Sequence, residues 1–257
     1  INRLWWATNN AYLSNLMGYP TDCPQREKNG WTGDGHFAIE TALYNYDGIT
    51  VYEKWLADHR DEQQPNGVLP DIIPTGGWDM ARIMDWIGQA LSLLFHGTFI
   101  CFYGDHKLLA DCYENIRRYV DYVDRTSPTG LTSWGKRRLG ACKSHSSKEL
   151  TSSVYFYVDT KILANAAKMF NKTEDYKYYS ALANKIKNAI NDKFLNRETG
   201  IYGSGVQTEQ SVPLQWGIVP EELKRKVARN LAKQVEAAGL SFGCRCVGGK
   251  SYIECVK

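Results

Sequence analysis

The chain has 257 residues, 43% hydrophobic and 23% charged, which suits one large domain or two small ones with a sizeable core. A formal charge of +3 without a Lys/Arg-rich tract argues against nucleic acid as a partner, and no apolar run is long enough to span a bilayer. The seven cysteines are scattered without a CxxC pair, and no motif calls for a metal or a cofactor. Cys101 and Cys112 fall at apolar helical positions and read as core, which slightly favours a cytoplasmic over a periplasmic compartment.

Helical periodicity runs through almost the whole chain. A first helix is predicted over 3–17, stopped by Gly18 and Pro20. Helices over 33–47 and 49–63 follow. The first places Phe37, Thr41 or Ala42, and Tyr44 on one side; the second spaces Val51, Trp55 and Leu56 helically. The stretch GVLPDIIP (67–74) is at best a short strand within a loop. A long apolar helix is predicted over 82–103. The next, over 107–124, keeps a 3–4 step through Leu109, Cys112, Ile116, Tyr119 or Val120, and Val123.

Helices over 147–171, 173–195, 206–217 and 220–238 come next. In the last, Leu223, Val227, Leu231 and Val235 fall four apart, with Pro220 in the first turn and Gly239 at the end. Residues 249–257 begin a further helix. About ten helices, paired in sequence and without a fixed-period repeat, imply an all-α fold of helical hairpins. The expected architecture is an α/α toroid forming a single domain over 1–257, with its ligand cleft at the end bearing the long loops. Those loops are 18–34, 65–79, 126–147 and 196–206. They display Trp31, Trp78, Trp134 and Tyr202, rings that suit a sugar face but could equally fill helix–helix contacts.

The loop DCPQREKNGWTGD (22–34) holds Asp22, Glu27 and Asp34 with Arg26, Lys28 and Trp31. Asp34 is as well explained by capping the following helix as by function, and Asp22 could organise a turn before Pro24. Glu27 has no local structural role. Acetal hydrolysis needs a proton donor and a second carboxylate. Asp22 and Asp34 nearby favour a proton on Glu27 by like-charge repulsion, and Arg26 opposes this. The five histidines form no HExxH motif, and His36 reads as surface or core rather than ligand contact. No phosphate-binding glycine motif is present.

The runs DCPQR (22–26) and GWTGD (30–34) resemble, in order and spacing, the signature of the bacterial α-L-rhamnosidases, glycoside hydrolase family 78. The stretches over 54–74, 85–105, 147–171 and 206–219 are also similar, so the resemblance covers nearly the whole chain. It implies an (α/α)6 barrel and hydrolysis, with inversion, of terminal α-L-rhamnosides. The family's general acid falls on Glu27. Its sugar-binding positions fall on Asp22, Arg26 and Asp34, with Trp31 as an aromatic wall and Trp86 and Trp134 at further aromatic positions. Its general base, a glutamate in a Trp-Glu context, is expected beyond Lys257. With about ten of twelve barrel helices in hand, the chain is expected to be a fragment of a longer multidomain protein. The alternative is a barrel that binds rhamnose-containing glycans without cleaving them. The missing base motivates it, as does IGQ (87–89) where the family carries a small-acidic pattern.

Overall fold

The computed structural model describes residues 1–76, 103–104, 106–133 and 146–237. Trp78, Trp86, IGQ (87–89), Cys101, Trp134, most of the helix predicted over 82–103 and all of 249–257 lie outside the described residues. Eight α-helices occur among those described: α1 (Asn2–Ser14), α2 (Thr32–Asn45), α3 (Ile49–Glu62), α4 (Lys107–Thr126), α5 (Lys148–Met169), α6 (Thr173–Phe194), α7 (Gln207–Gln215) and α8 (Lys224–Ala237). Among the described residues, sheet is confined to a hairpin of β1 (Leu195–Asn196) and β2 (Ile201–Tyr202). No described helix is long and apolar enough to cross a membrane.

The chain divides into two compact units, Ile1–Tyr122 with Ile162–Tyr176, and Val123–Lys161 with Lys177–Lys257. In the first, α4 buries Leu109, Cys112, Ile116, Tyr119 and Val120, the stripe that its periodicity predicts. Each such aliphatic side chain is worth roughly 1.5–3 kcal/mol when fully buried. Polar contacts fix the register against α3: Gln63 Nε2 donates to Asn115 O at 2.8 Å, and Asn115 Nδ2 donates to Gln63 Oε1 at 2.7 Å. Tyr113 then donates to Asp175 at 2.7 Å. On α3, Tyr52, Trp55 and Leu56 are buried. On α2 the buried face is Ile39, Ala42 and Leu43, whereas Tyr44, which spacing puts on one side with Phe37 and Thr41 or Ala42, is exposed. Phenol-bearing Tyr tolerates water, so the wholly apolar Ile39 and Leu43 take the inner face instead.

In the second unit, Val227, Leu231 and Val235 of α8 are buried at the predicted four-residue step. Pro220 precedes a 3₁₀ turn (Glu221–Leu223) rather than opening α8 directly. Tyr202 of β2 donates to Asn191 Oδ1 at 2.6 Å, and Asn191 Nδ2 donates to Ile218 O at 3.0 Å, so the hairpin and the segment before α8 both anchor on α6.

One buried group in this unit is under-supported. Asp159 on α5 is 1% exposed, and among the described residues neither carboxyl oxygen has a hydrogen-bond partner. Burial pushes its proton affinity well above the usual carboxylate range. The folded chain therefore retains a proton that the unfolded chain releases above about pH 4. Stability falls as pH rises from there toward the folded pKa. Asp159→Asn, which has no charge to bury, is expected to raise Tm at pH 7 by roughly 2–6 °C. At pH 4 the difference should shrink, and thermal melts at the two pH values check this.

Candidate active site

Residues 15–31 form one hydrogen-bonded loop between α1 and α2. The helix predicted to reach residue 17 stops at Ser14 because tertiary bonds claim the next backbone groups. Asn15 O accepts from both the amide and the hydroxyl of Thr21, at 2.8 and 2.9 Å, and Leu16 bridges to Pro20.

Asp22 closes the next turn. Its N–H donates to Asn29 O at 3.0 Å, and its Oδ1 accepts the Asn29 N–H at 2.9 Å. Its Oδ2 accepts the Cys23 thiol at 3.0 Å, while the Glu27 N–H donates to Cys23 Sγ at 3.2 Å. Lys28, at φ +54°, turns the chain back. Asp22 does organise a turn, as its position before Pro24 suggests, but through Asn29 and Cys23.

A second loop supports the first. Thr32 N–H donates to Asp71 O at 3.0 Å, Ile73 N–H donates to Gly30 O at 2.9 Å, and Trp31 bridges to Ile72. The short strand expected in 67–74 reduces to this single bridge. Ile73 O in turn accepts the buried Trp55 indole N–H at 2.7 Å. The acidic loop is thus tied, through Ile73, to the core of α3.

Asp34 does not cap α2. The N-cap position is Trp31, with no side-chain cap bond, and Asp34 sits in the first turn. There a carboxylate faces the positive end of the helix dipole. Its pKa is nevertheless raised to about 6, chiefly by loss of hydration and then by the Asp22 charge, with Glu27 adding a smaller push and its own backbone N–H opposing. The residue keeps exposed surface, so solvent screens part of this effect. Asp34 therefore lies close enough to Asp22 and Glu27 to feel both of their charges.

Glu27 is exposed, and its Oε2 accepts the Trp31 indole N–H at 2.9 Å. Asp22 and Asp34 line a recess of ≈ 260 Å³ whose walls include Tyr12 of α1, Asn15 and Thr21 of the loop, and Phe37 of α2. Rings beside hydroxyl, amide and carboxylate groups are the surface that a sugar requires, with apolar C–H faces and several hydroxyls to satisfy. Arg26 is exposed and pairs with no carboxylate among the described residues, so Asp22, Glu27, Trp31 and Asp34 come together without it. His36 is buried against the Phe37 ring, at 4.8 Å between centroids, and reads as core. Trp86 and Trp134 lie outside the described residues. Reasoning from residue types overlooked Cys23 and Asn29; the local signal was their placement immediately after and seven residues after Asp22. Among the described residues, no group of three or more His, Cys, Asp or Glu could hold a metal ion.

Comparison with known proteins identifies the family and the fold. Residues 1–254 match the family described as the bacterial alpha-L-rhamnosidase 6 hairpin glycosidase domain. An alpha-L-rhamnosidase of Formosa agariphila is 28% identical over 265 residues, covering 94% of this chain and 27% of that protein. The structure of alpha-L-rhamnosidase from Dictyoglumus thermophilum superposes with a TM-score of 0.91 at 33% identity, covering 99% of this chain and 29% of that one. A Streptomyces avermitilis alpha-L-rhamnosidase complexed with L-rhamnose matches with a TM-score of 0.87 at 23% identity, over 98% of this chain and 25% of that one, a likeness of fold alone. The chain thus spans about a quarter of the length of such relatives. The all-α hairpin architecture expected from the sequence is the one these proteins share.

Proposed function

Because the chain belongs to the bacterial α-L-rhamnosidase six-hairpin glycosidase family, we propose that it is the catalytic domain of a glycoside hydrolase that removes terminal α-L-rhamnose from rhamnosides. The observation that carries this reading is a sugar-sized recess lined by Asp22 and Asp34, next to the loop on which the Trp31 indole holds the Glu27 carboxyl.

In this reading Asp22 and Asp34 accept hydrogen bonds from sugar hydroxyls at the recess, with Arg26 at the loop surface and Trp31 as the wall beside the acid. Glu27 donates its proton to the glycosidic oxygen as the bond from that oxygen to the anomeric carbon breaks. The bonding pair leaves with the aglycone, and positive charge builds on the ring. A water attacks the anomeric carbon from the opposite face and yields its proton to a second carboxylate. An inverting pair needs roughly 6.5–9.5 Å between its carboxyl groups to admit that water. Asp22 does not fit the role of base, because both its oxygens already bind loop donors.

The test is product stereochemistry. The full-length protein, given an aryl α-L-rhamnoside and followed by ¹H NMR, is expected to release β-L-rhamnose first, before mutarotation. Release of the α-anomer first would overturn inversion. Rhamnose binding without turnover would favour the glycan-binding alternative.

A further inference from the structure

Outside the acid itself, one side chain touches both ends of the loop chemistry. Cys23 carries a free thiol with partial solvent access. Its S–H points at Asp22 Oδ2 at 3.0 Å, and its sulfur lone pair receives the Glu27 N–H at 3.2 Å. The donors and acceptors form an unbroken series. The Asn29 N–H meets Asp22 Oδ1, Asp22 Oδ2 meets the thiol, and the thiol meets the Glu27 amide. The Glu27 carboxyl then meets the Trp31 indole.

We propose that Cys23 is a positioning residue, whose thiol locks the carboxylate of Asp22 and the backbone of Glu27 into one arrangement. This rests on the reading of Glu27 as the acid.

The chemistry suits cysteine. Its single proton goes to the carboxylate, which leaves the sulfur free to accept, so one atom serves both partners without conflict. The long carbon–sulfur bond lets that atom reach the backbone four residues on while still contacting the preceding side chain. Sulfur hydrogen bonds are weak, so the contribution is geometric rather than energetic. Between Cys23 and Glu27 only a turn over residues 24–27 intervenes, and no other side chain among the described residues bonds the Glu27 amide. Losing the thiol leaves Asp22 with the Asn29 amide alone and releases the start of the turn that aims Glu27. Small misplacements of a catalytic group are costly in rate, up to about 10²-fold for roughly 1 Å.

The test compares leaving groups in the full-length protein. A nitrophenyl rhamnoside departs with little help from an acid, whereas a methyl rhamnoside depends on it. Cys23→Ala is expected to lower kcat on the methyl rhamnoside about tenfold more than on the nitrophenyl rhamnoside. Cys23→Ser, which keeps one donor and one acceptor, should recover part of that difference. Equal losses on both substrates without rescue by serine would reduce Cys23 to a packing residue and overturn the proposal, as would wild-type rates in the alanine variant. Wild-type protein that turns over neither substrate would overturn the rhamnosidase reading and this inference with it. Normal wild-type turnover beside an indifferent Cys23→Ala would overturn the inference alone.

Discussion

Glu27→Gln in the full-length protein is expected to lower turnover of an alkyl α-L-rhamnoside by about 10²–10⁴-fold, the usual contribution of a positioned general acid. Glutamine is nearly isosteric and can still accept the Trp31 indole N–H through its amide oxygen, so the loop geometry should survive. What it lacks is a transferable proton. Sugar binding should therefore persist, because Asp22 and Asp34, not Glu27, line the recess. Calorimetry with L-rhamnose reads that second half. The loss should be smaller on a nitrophenyl rhamnoside, whose leaving group needs little protonation. Undiminished turnover of the alkyl substrate by Glu27→Gln would remove the acid assignment, and with it the mechanism derived from this loop.

Gly30→Ala is expected to destabilise the protein by about 3 kcal/mol, the upper part of the range for overpacking. A Cβ at residue 30 would lie 2.0 Å from Ile73 O, a distance that no rotamer change relieves because the obstacle is backbone. Residue 73 cannot simply retreat. Its carbonyl accepts the Trp55 indole, and its amide donates to Gly30 itself. Moving it breaks the pairing that holds Trp31 and Thr32 against the second loop. Gly35→Ala offers a companion test, since its Cβ would lie 2.3 Å from the Trp55 ring on the other side of the same buried indole. Thermal or urea melts read both, and a Tm for Gly30→Ala within error of wild type would contradict the packing described here. Because the obstacle lies behind the acidic loop, surviving Gly30→Ala protein should also show impaired rhamnose binding.

Sequence and structure agree best where one physical signal acts alone. The helices α4 and α8 were legible because a sustained apolar stripe leaves one face that can be buried, and that face is buried. Agreement weakens where two explanations compete for one residue. Asp34 could be a cap or a functional carboxylate by local rules; its place inside the first turn of α2, crowded by Asp22, excludes the cap. Spacing puts Tyr44 on one side with Phe37 and Thr41 or Ala42, but an amphipathic phenol carries little information about which way a helix face turns.

By themselves, the residues determined that the chain forms helical hairpins and, through the intact DCPQR and GWTGD runs, to which family it belongs. These are properties of periodicity and local order, which a chain carries before it folds. Only the tertiary structure decided which of the loop's groups act together. The thiol between Asp22 and Glu27, the indole on the Glu27 carboxyl, and the Ile73 carbonyl pressed against Gly30 are through-space relations. The last of them joins residues more than forty positions apart. No periodicity records such a contact, because it exists only once the two loops have been brought face to face.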